Sequence, residues 1–122
     1  MEIKSYYLDE NSFGFILYEH GENVGRIHLS LVEDGKVAKI VDVIVDETEC
    51  KPFGFLPFIE WKKSFRSKGY GTALLTKAIQ HCKALGISEI IGEMSGDEEK
   101  LVVWYERFGF IIREDKSISL SL

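Results

Sequence analysis

The sequence predicts an α/β (α+β) fold, a mixed and mostly antiparallel central sheet carrying two main helices. Three observations predict it. The first third of the chain alternates β-branched and aromatic runs with short turn clusters, the second half holds two amphipathic segments at helical spacing around a short apolar run, and the chain closes on two short β-like runs. At 122 residues the chain can bury one core but not two, so a single domain over 1–122 is expected. A hydrophobic content of 45% with 29% charged residues is that of a folded globular chain, not a disordered one.

Residues 2–8 read as a strand, broken at Asp9-Glu10-Asn11-Ser12 by turn-forming side chains. A second strand runs from Phe13 to Tyr18, turns through His20-Gly21-Glu22-Asn23, and returns from Val24 to Leu31. Asp34-Gly35 is a short-range hairpin signal, and Val37, Ile40, Val41, Val43, Ile44 and Val45 after it favour a strand through their β-branched side chains. These runs predict an antiparallel meander.

From Asp46 the period is lost. Residues 46–65 hold both prolines, Pro52 and Pro57, and a dense aromatic set, Phe53, Phe55, Phe58, Trp61 and Phe65. A short helix from Pro57 and a Pro-interrupted strand both fit, and the segment is expected to be an inserted loop.

The helix after Gly71 is the clearest element, because Leu74, Leu75, Ala78, Ile79, Cys82 and Leu85 form one apolar stripe, closed by Gly86 as a left-handed cap. Ile87 to Met94 follows as a strand. Ser95, three residues before Glu98, marks a capping box for a second helix that buries Leu101, Trp104 or Tyr105, and Phe108, and stops at Gly109. Phe110 to Arg113 and Ser117 to Leu122 form a hairpin turned at Asp115-Lys116.

A net charge of −5 argues against general nucleic-acid binding, which needs a basic face. Lys62, Lys63, Arg66 and Lys68 nevertheless cluster, and in an acidic chain that points to a small anionic ligand. Cys50 and Cys82 are too far apart for a CxxC site, so reduced thiols and a cytoplasmic setting are expected. Met1-Glu2-Ile3-Lys4 lacks the apolar core of a secretory leader, and no apolar run reaches membrane-spanning length.

Arg66-Ser67-Lys68-Gly69-Tyr70-Gly71-Thr72 is the centre of the chain. Two glycines one residue apart let backbone N–H groups converge, and the helix behind them adds unpaired N–H groups and a positive dipole end, which together make an anion cradle. It is neither of two familiar phosphate loops. Thr72-Ala73 stands where a nucleoside triphosphatase needs Gly-Lys-Ser/Thr, and Leu74 stands where a dinucleotide fold needs a third glycine.

Arg66-x-x-Gly69-x-Gly71, a helix, a strand, and then Trp104-Tyr105-x-x-x-Gly109-Phe110 resembles the GNAT superfamily of acyl-coenzyme A dependent acyltransferases. The resemblance is strongest over residues 66–110. It implies acetyl-CoA as co-substrate, its pyrophosphate on the backbone of Arg66, Ser67, Lys68, Gly69, Tyr70, Gly71 and Thr72. The strand at Val43, Ile44 and Val45 would offer backbone groups to the pantetheine arm and N–H donors to the thioester oxygen. An alternative alignment gives that role to Ile59-Glu60-Trp61, but it sets Pro57 in a central strand. Two features depart from the family: four turn residues stand where two helices usually form the acceptor wall, and Glu98 replaces a frequent asparagine.

Acyl transfer to an amine needs a base, because an alkyl ammonium near pKa ~10.4 is mostly protonated at neutral pH. The resemblance implies Glu93 as that base and Tyr105 as the acid that protonates the departing thiolate. A primary amine on a small molecule or peptide is the expected acceptor, and a non-catalytic acyl-CoA sensing module is the alternative. The aromatic stretch Phe53 to Trp61 is expected to cover the open acceptor side or to form a homodimer contact. His20, His28 and His81 lack metal-ligand spacing, and Cys82 on the apolar stripe is expected to be a buried inert thiol.

Overall fold

The computed structural model describes residues 2–45, 69–94 and 98–122. Strands β1 (Glu2–Asp9), β2 (Ser12–Glu19), β3 (Glu22–Val32) and β4 (Val37–Val45) come first. Helix α1 (Tyr70–Ala84), strand β5 (Glu89–Glu93), helix α2 (Glu98–Arg107), β6 (Ile111–Ile112) and β7 (Ser117–Ser121) complete the described elements. The sheet order is β1-β2-β3-β4-β5-β7-β6, antiparallel throughout except for the parallel pair β4 and β5. The aromatic segment expected to wall the acceptor side, and the alternative strand at 59–61, lie outside the described residues.

The meander forms because its links are only a few residues long, and two of them take left-handed backbone. His20 and Gly21 turn β2 into β3 at φ 54° and 80°. The Asp34-Gly35 signal is met by a longer connection than a two-residue hairpin, residues 33–36. Glu33, Asp34 and Gly35 all take positive φ, and Gly35 N–H bonds to the Val32 carbonyl at 3.1 Å.

Alternation assigns the faces. Phe13, Phe15 and Leu17 of β2, Ile27 and Leu29 of β3, and Ala38 and Ile40 of β4 join the buried core with Leu74, Leu75, Ala78 and Cys82 of α1. The predicted helical stripe is therefore the seam between α1 and the sheet, except at Leu85, which lies past the last helical residue and is 53% exposed. Each buried leucine contributes roughly 1.5–3 kcal/mol. Past its last turn α1 closes with Gly86 at φ 78° and Ile87 N–H on the Cys82 carbonyl at 3.0 Å.

Some boundaries move. The strand after α1 starts at Glu89, not Ile87, because Ile87 is still engaged in the helix cap. Of the pair Trp104 or Tyr105, the tyrosine is the buried one, at 5% exposure. The terminal hairpin does not simply extend the sheet. Its last strand, β7, inserts between β5 and β6, pairing Glu89 with Ser121 through to Glu93 with Ser117.

Candidate active site

Strands β4 and β5 pair over only Val37 with Glu89, Ala38 with Ile90 and Lys39 with Ile91. Beyond that point each follows its other neighbour. Strand β4 stays on β3 as far as Val45 opposite Gly25, while β5 stays on β7 to Glu93 opposite Ser117. The edge of β4 from Ile40 onward thus has no described strand beside it. A bulge marks the parting: Leu29 faces Ile40 and His28 faces Asp42, which leaves Val41 extra on β4 and 54% exposed.

Helix α1 brings its N-terminus to the same end. Its C-terminus is tied through Ile87 to the start of β5, and its 15 residues run back about 22 Å, past a five-residue strand of roughly 16 Å. That puts the first turn beyond the carboxyl end of β5, where parallel strands usually expose ligand crevices. Gly69 enters the helix in the left-handed region at φ 78°, ψ 18°, with no side-chain cap and no acidic residue in the first turn. The positive dipole end is not neutralised by a carboxylate there.

The predicted cofactor residues divide. Gly69, Tyr70, Gly71 and Thr72 stand at that turn, but Tyr70 is 4% exposed, so its ring anchors the turn in the core and only its backbone is on offer. Arg66, Ser67 and Lys68 lie outside the described residues. Val43 packs against the core, and Ile44 is exposed. Val45 closes the β3–β4 ladder.

Tyr105 sits in an aromatic cluster. Its ring centroid is 4.9 Å from Trp104 and 5.2 Å from Phe110, both edge to face. Burial raises the phenol pKa above its usual value, so it stays protonated. Glu93, at the tip of β5, is exposed. A contact absent from the sequence reading joins the two helices: Trp104 Nε1–H donates to Thr72 Oγ1 at 3.0 Å. Cross-helix pairing of this kind leaves no periodic trace in the sequence.

Residues 2–110 match the model of the acetyltransferase (GNAT) family. The chain belongs to this family. It is 31% identical over 112 residues to an uncharacterized N-acetyltransferase of Methanocaldococcus jannaschii, covering 87% of this chain and 42% of that protein. It therefore spans less than half the length of that relative. Among solved structures it is similar to PaiA N-acetyltransferase from Thermoplasma acidophilum in complex with coenzyme A. The TM-score is 0.70 and the identity 16%, over 92% of this chain and 62% of the other. It is also similar to a putative streptothricin acetyltransferase from Bacillus anthracis in complex with acetyl coenzyme A, with a TM-score of 0.65, 20% identity, and coverage of 95% and 63%.

This GNAT domain departs from the expected plan where the sequence said it would. β1 passes into β2 through Glu10 and Asn11, with Asn11 N–H held by Asp9 Oδ1 at 2.7 Å, in place of two helices. In this GNAT sheet Val37–Val45 is the described strand that parts from β5.

Proposed function

We propose that the chain transfers an acetyl group from acetyl-CoA to a primary amine by direct attack of the amine on the thioester. The observation that carries this reading is the parting of β4 from β5 beside a helix entered through Gly69 without an acidic or side-chain cap. That donor set suits a pyrophosphate: backbone N–H groups, a positive helix end, and a first turn that carries no carboxylate. Backbone groups of Val43 to Val45, on the parted edge of β4, suit a pantetheine arm.

In this reading N–H groups at Val43 to Val45 meet the oxygen as negative charge develops on it. Tyr105 gives its phenol proton to the departing sulfur, and the raised pKa keeps that proton in place until a thiolate forms. Glu93, on the β5 side of the gap, is the base to which the sequence points.

Acetyl-CoA should bind, as measured by calorimetry, and free thiol should appear with amines faster than without protein. No binding at millimolar ligand would sink the reading. The short β1–β2 link favours a second reading, an acyl-CoA sensing module, which would bind without releasing thiol.

A further inference from the structure

Four residues stand directly opposite one another across four strands. Tyr6 of β1 pairs with Gly14 of β2, Gly14 with His28 of β3, and His28 with Asp42 of β4. All lie on the face opposite α1, since Phe13, Phe15, Ile27, Leu29 and Ile40, their neighbours in sequence or register, form the α1 side. Tyr6 crosses the strand between: a Cβ on Gly14 would fall 2.5 Å from its ring and hydroxyl and would also meet the Ile27 carbonyl oxygen. Crossing there, the Tyr6 hydroxyl reaches His28 Nδ1 at 2.9 Å, the two rings near-parallel at 22° and 5.8 Å apart.

The row ends at the gap. Asp42 follows the bulge residue Val41, on the part of β4 that has left β5. Its Oδ1 is buried without a hydrogen bond among the described residues, and Arg26 Nε lies 3.8 Å from it. Among the described residues the titratable and charged groups around His28 on this face are Tyr6 from β1, Arg26 from β3, and Asp42 and Lys39 from β4. Lys39 lies opposite Ser30, while β2 brings Ser12, Gly14 and Ile16.

We propose that His28, fixed by Tyr6 and faced by Asp42, takes the proton from the acceptor ammonium. The inference rests on the acetyl-transfer reading and moves proton removal from Glu93 to the β4 side. Nδ1–H donates to the Tyr6 oxygen, which leaves a lone pair on Nε2. Nε2 binds one ammonium proton, and the freed amine forms the N–C bond as the C–S bond breaks. Sulfur takes a proton from Tyr105, the new amide nitrogen gives up its second proton through solvent to restore the Tyr105 phenol, and the imidazolium returns its proton to solvent. The Asp42 side chain faces His28 directly across the strand pair. Tyr6 and Gly14 are positioning residues.

The test begins with the tautomer, read by nitrogen NMR on the full chain labelled at histidine with acetyl-CoA present, His28 being identified by its loss in His28→Gln. The Nδ1–H form is expected, with Nε2–H gaining population in Tyr6→Phe. An Nε2–H form in the unaltered protein would overturn the proposal, whatever the activity. The second arm compares propylamine with hydroxylamine, an amine already neutral at pH 7. His28→Gln should lower kcat/KM for propylamine about a hundredfold, the low end for general-base catalysis, and leave hydroxylamine within about threefold. Equal loss with both amines, or selective loss in Glu93→Gln instead, would overturn it while the acetyl-transfer reading stood. Absent acetyl-CoA binding in calorimetry would defeat that underlying reading separately.

Discussion

The indole of Trp104 donates to the hydroxyl of Thr72 at 3.0 Å, tying α2 to the first turn of α1. The same turn begins at the left-handed Gly69, so its placement depends on a tertiary contact as well as on the glycine. Thr72→Val and Trp104→Phe should therefore each destabilise the fold. A double-mutant cycle by urea denaturation should give a coupling of about 0.5–1.5 kcal/mol, the ordinary net worth of a hydrogen bond. Independent, additive losses would show that the bond contributes nothing.

Tyr105 and Gly71 separate chemistry from binding. Tyr105→Phe keeps the ring between Trp104 and Phe110 and removes only the proton donor, so acetyl-CoA affinity should hold while turnover falls. Gly71→Val puts a β-branched side chain into the second residue of α1 and should abolish coenzyme binding. Calorimetry on both variants decides: equal loss of binding would make Tyr105 a purely structural residue.

Local chemistry explains which parts of this fold were legible. The meander, both helices and the terminal hairpin were readable because turn residues and period-2 or period-3.6 patterns act within a few positions. The stripe Leu74, Leu75, Ala78, Cys82 is the α1 seam for that reason. Register was not readable. Nothing near His28 in sequence says that Asp42 faces it or that Tyr6 lies across Gly14, because those neighbours are fixed by a bulge at Val41 and by three strand pairings. Sequence spacing therefore says of His28 only that it is no metal ligand, and helical spacing alone does not choose between Trp104 and Tyr105.

Two glycines should respond differently to alanine. At Gly69 an added Cβ meets nothing within 4 Å among the described residues, so the left-handed φ of 78° is what opposes it there, at a cost of about 1–2 kcal/mol. At Gly14 the Cβ would overlap the Tyr6 ring and the Ile27 carbonyl, a backbone atom that cannot step aside. Gly14→Ala should cost about 3 kcal/mol or more, the upper range for overpacking, and free Tyr6 from His28. Urea midpoints giving Gly14→Ala the smaller loss would contradict the packing of β1 on β2.

His81 links the pH to stability. Its ring packs 5.1 Å from Phe13 and 5.3 Å from Phe15, and burial first, then Lys77, lowers its pKa below 6.5. The unfolded chain therefore takes up this proton at a higher pH than the folded one. Its contribution is complete above about pH 6.5 and is lost as pH falls through the lower folded value. Thermal melts at pH 7 and pH 5 should show a smaller drop for His81→Gln than for the unaltered chain. An equal drop would assign the acid sensitivity elsewhere.

Cys82 gives the sharpest test of the α1 seam. The thiol is fully buried among Leu74, Leu75 and Ala78, and burial pushes its pKa from 9.0 up to about 11. Since the thiolate is the nucleophile, a shift of that size lowers the reactive fraction about a hundredfold at pH 8, before any loss of access is counted. Iodoacetamide should therefore modify Cys82 in the native chain at least a hundredfold more slowly than in urea, with peptide mass spectrometry reporting the site. The sign for stability is opposite to that of His81. As pH rises from 9 towards 11 the unfolded thiol ionises first, so the folded state loses ground on the alkaline side, and Cys82→Ala should flatten that limb. Rapid native alkylation would mean that α1 does not lie on the sheet through this stripe.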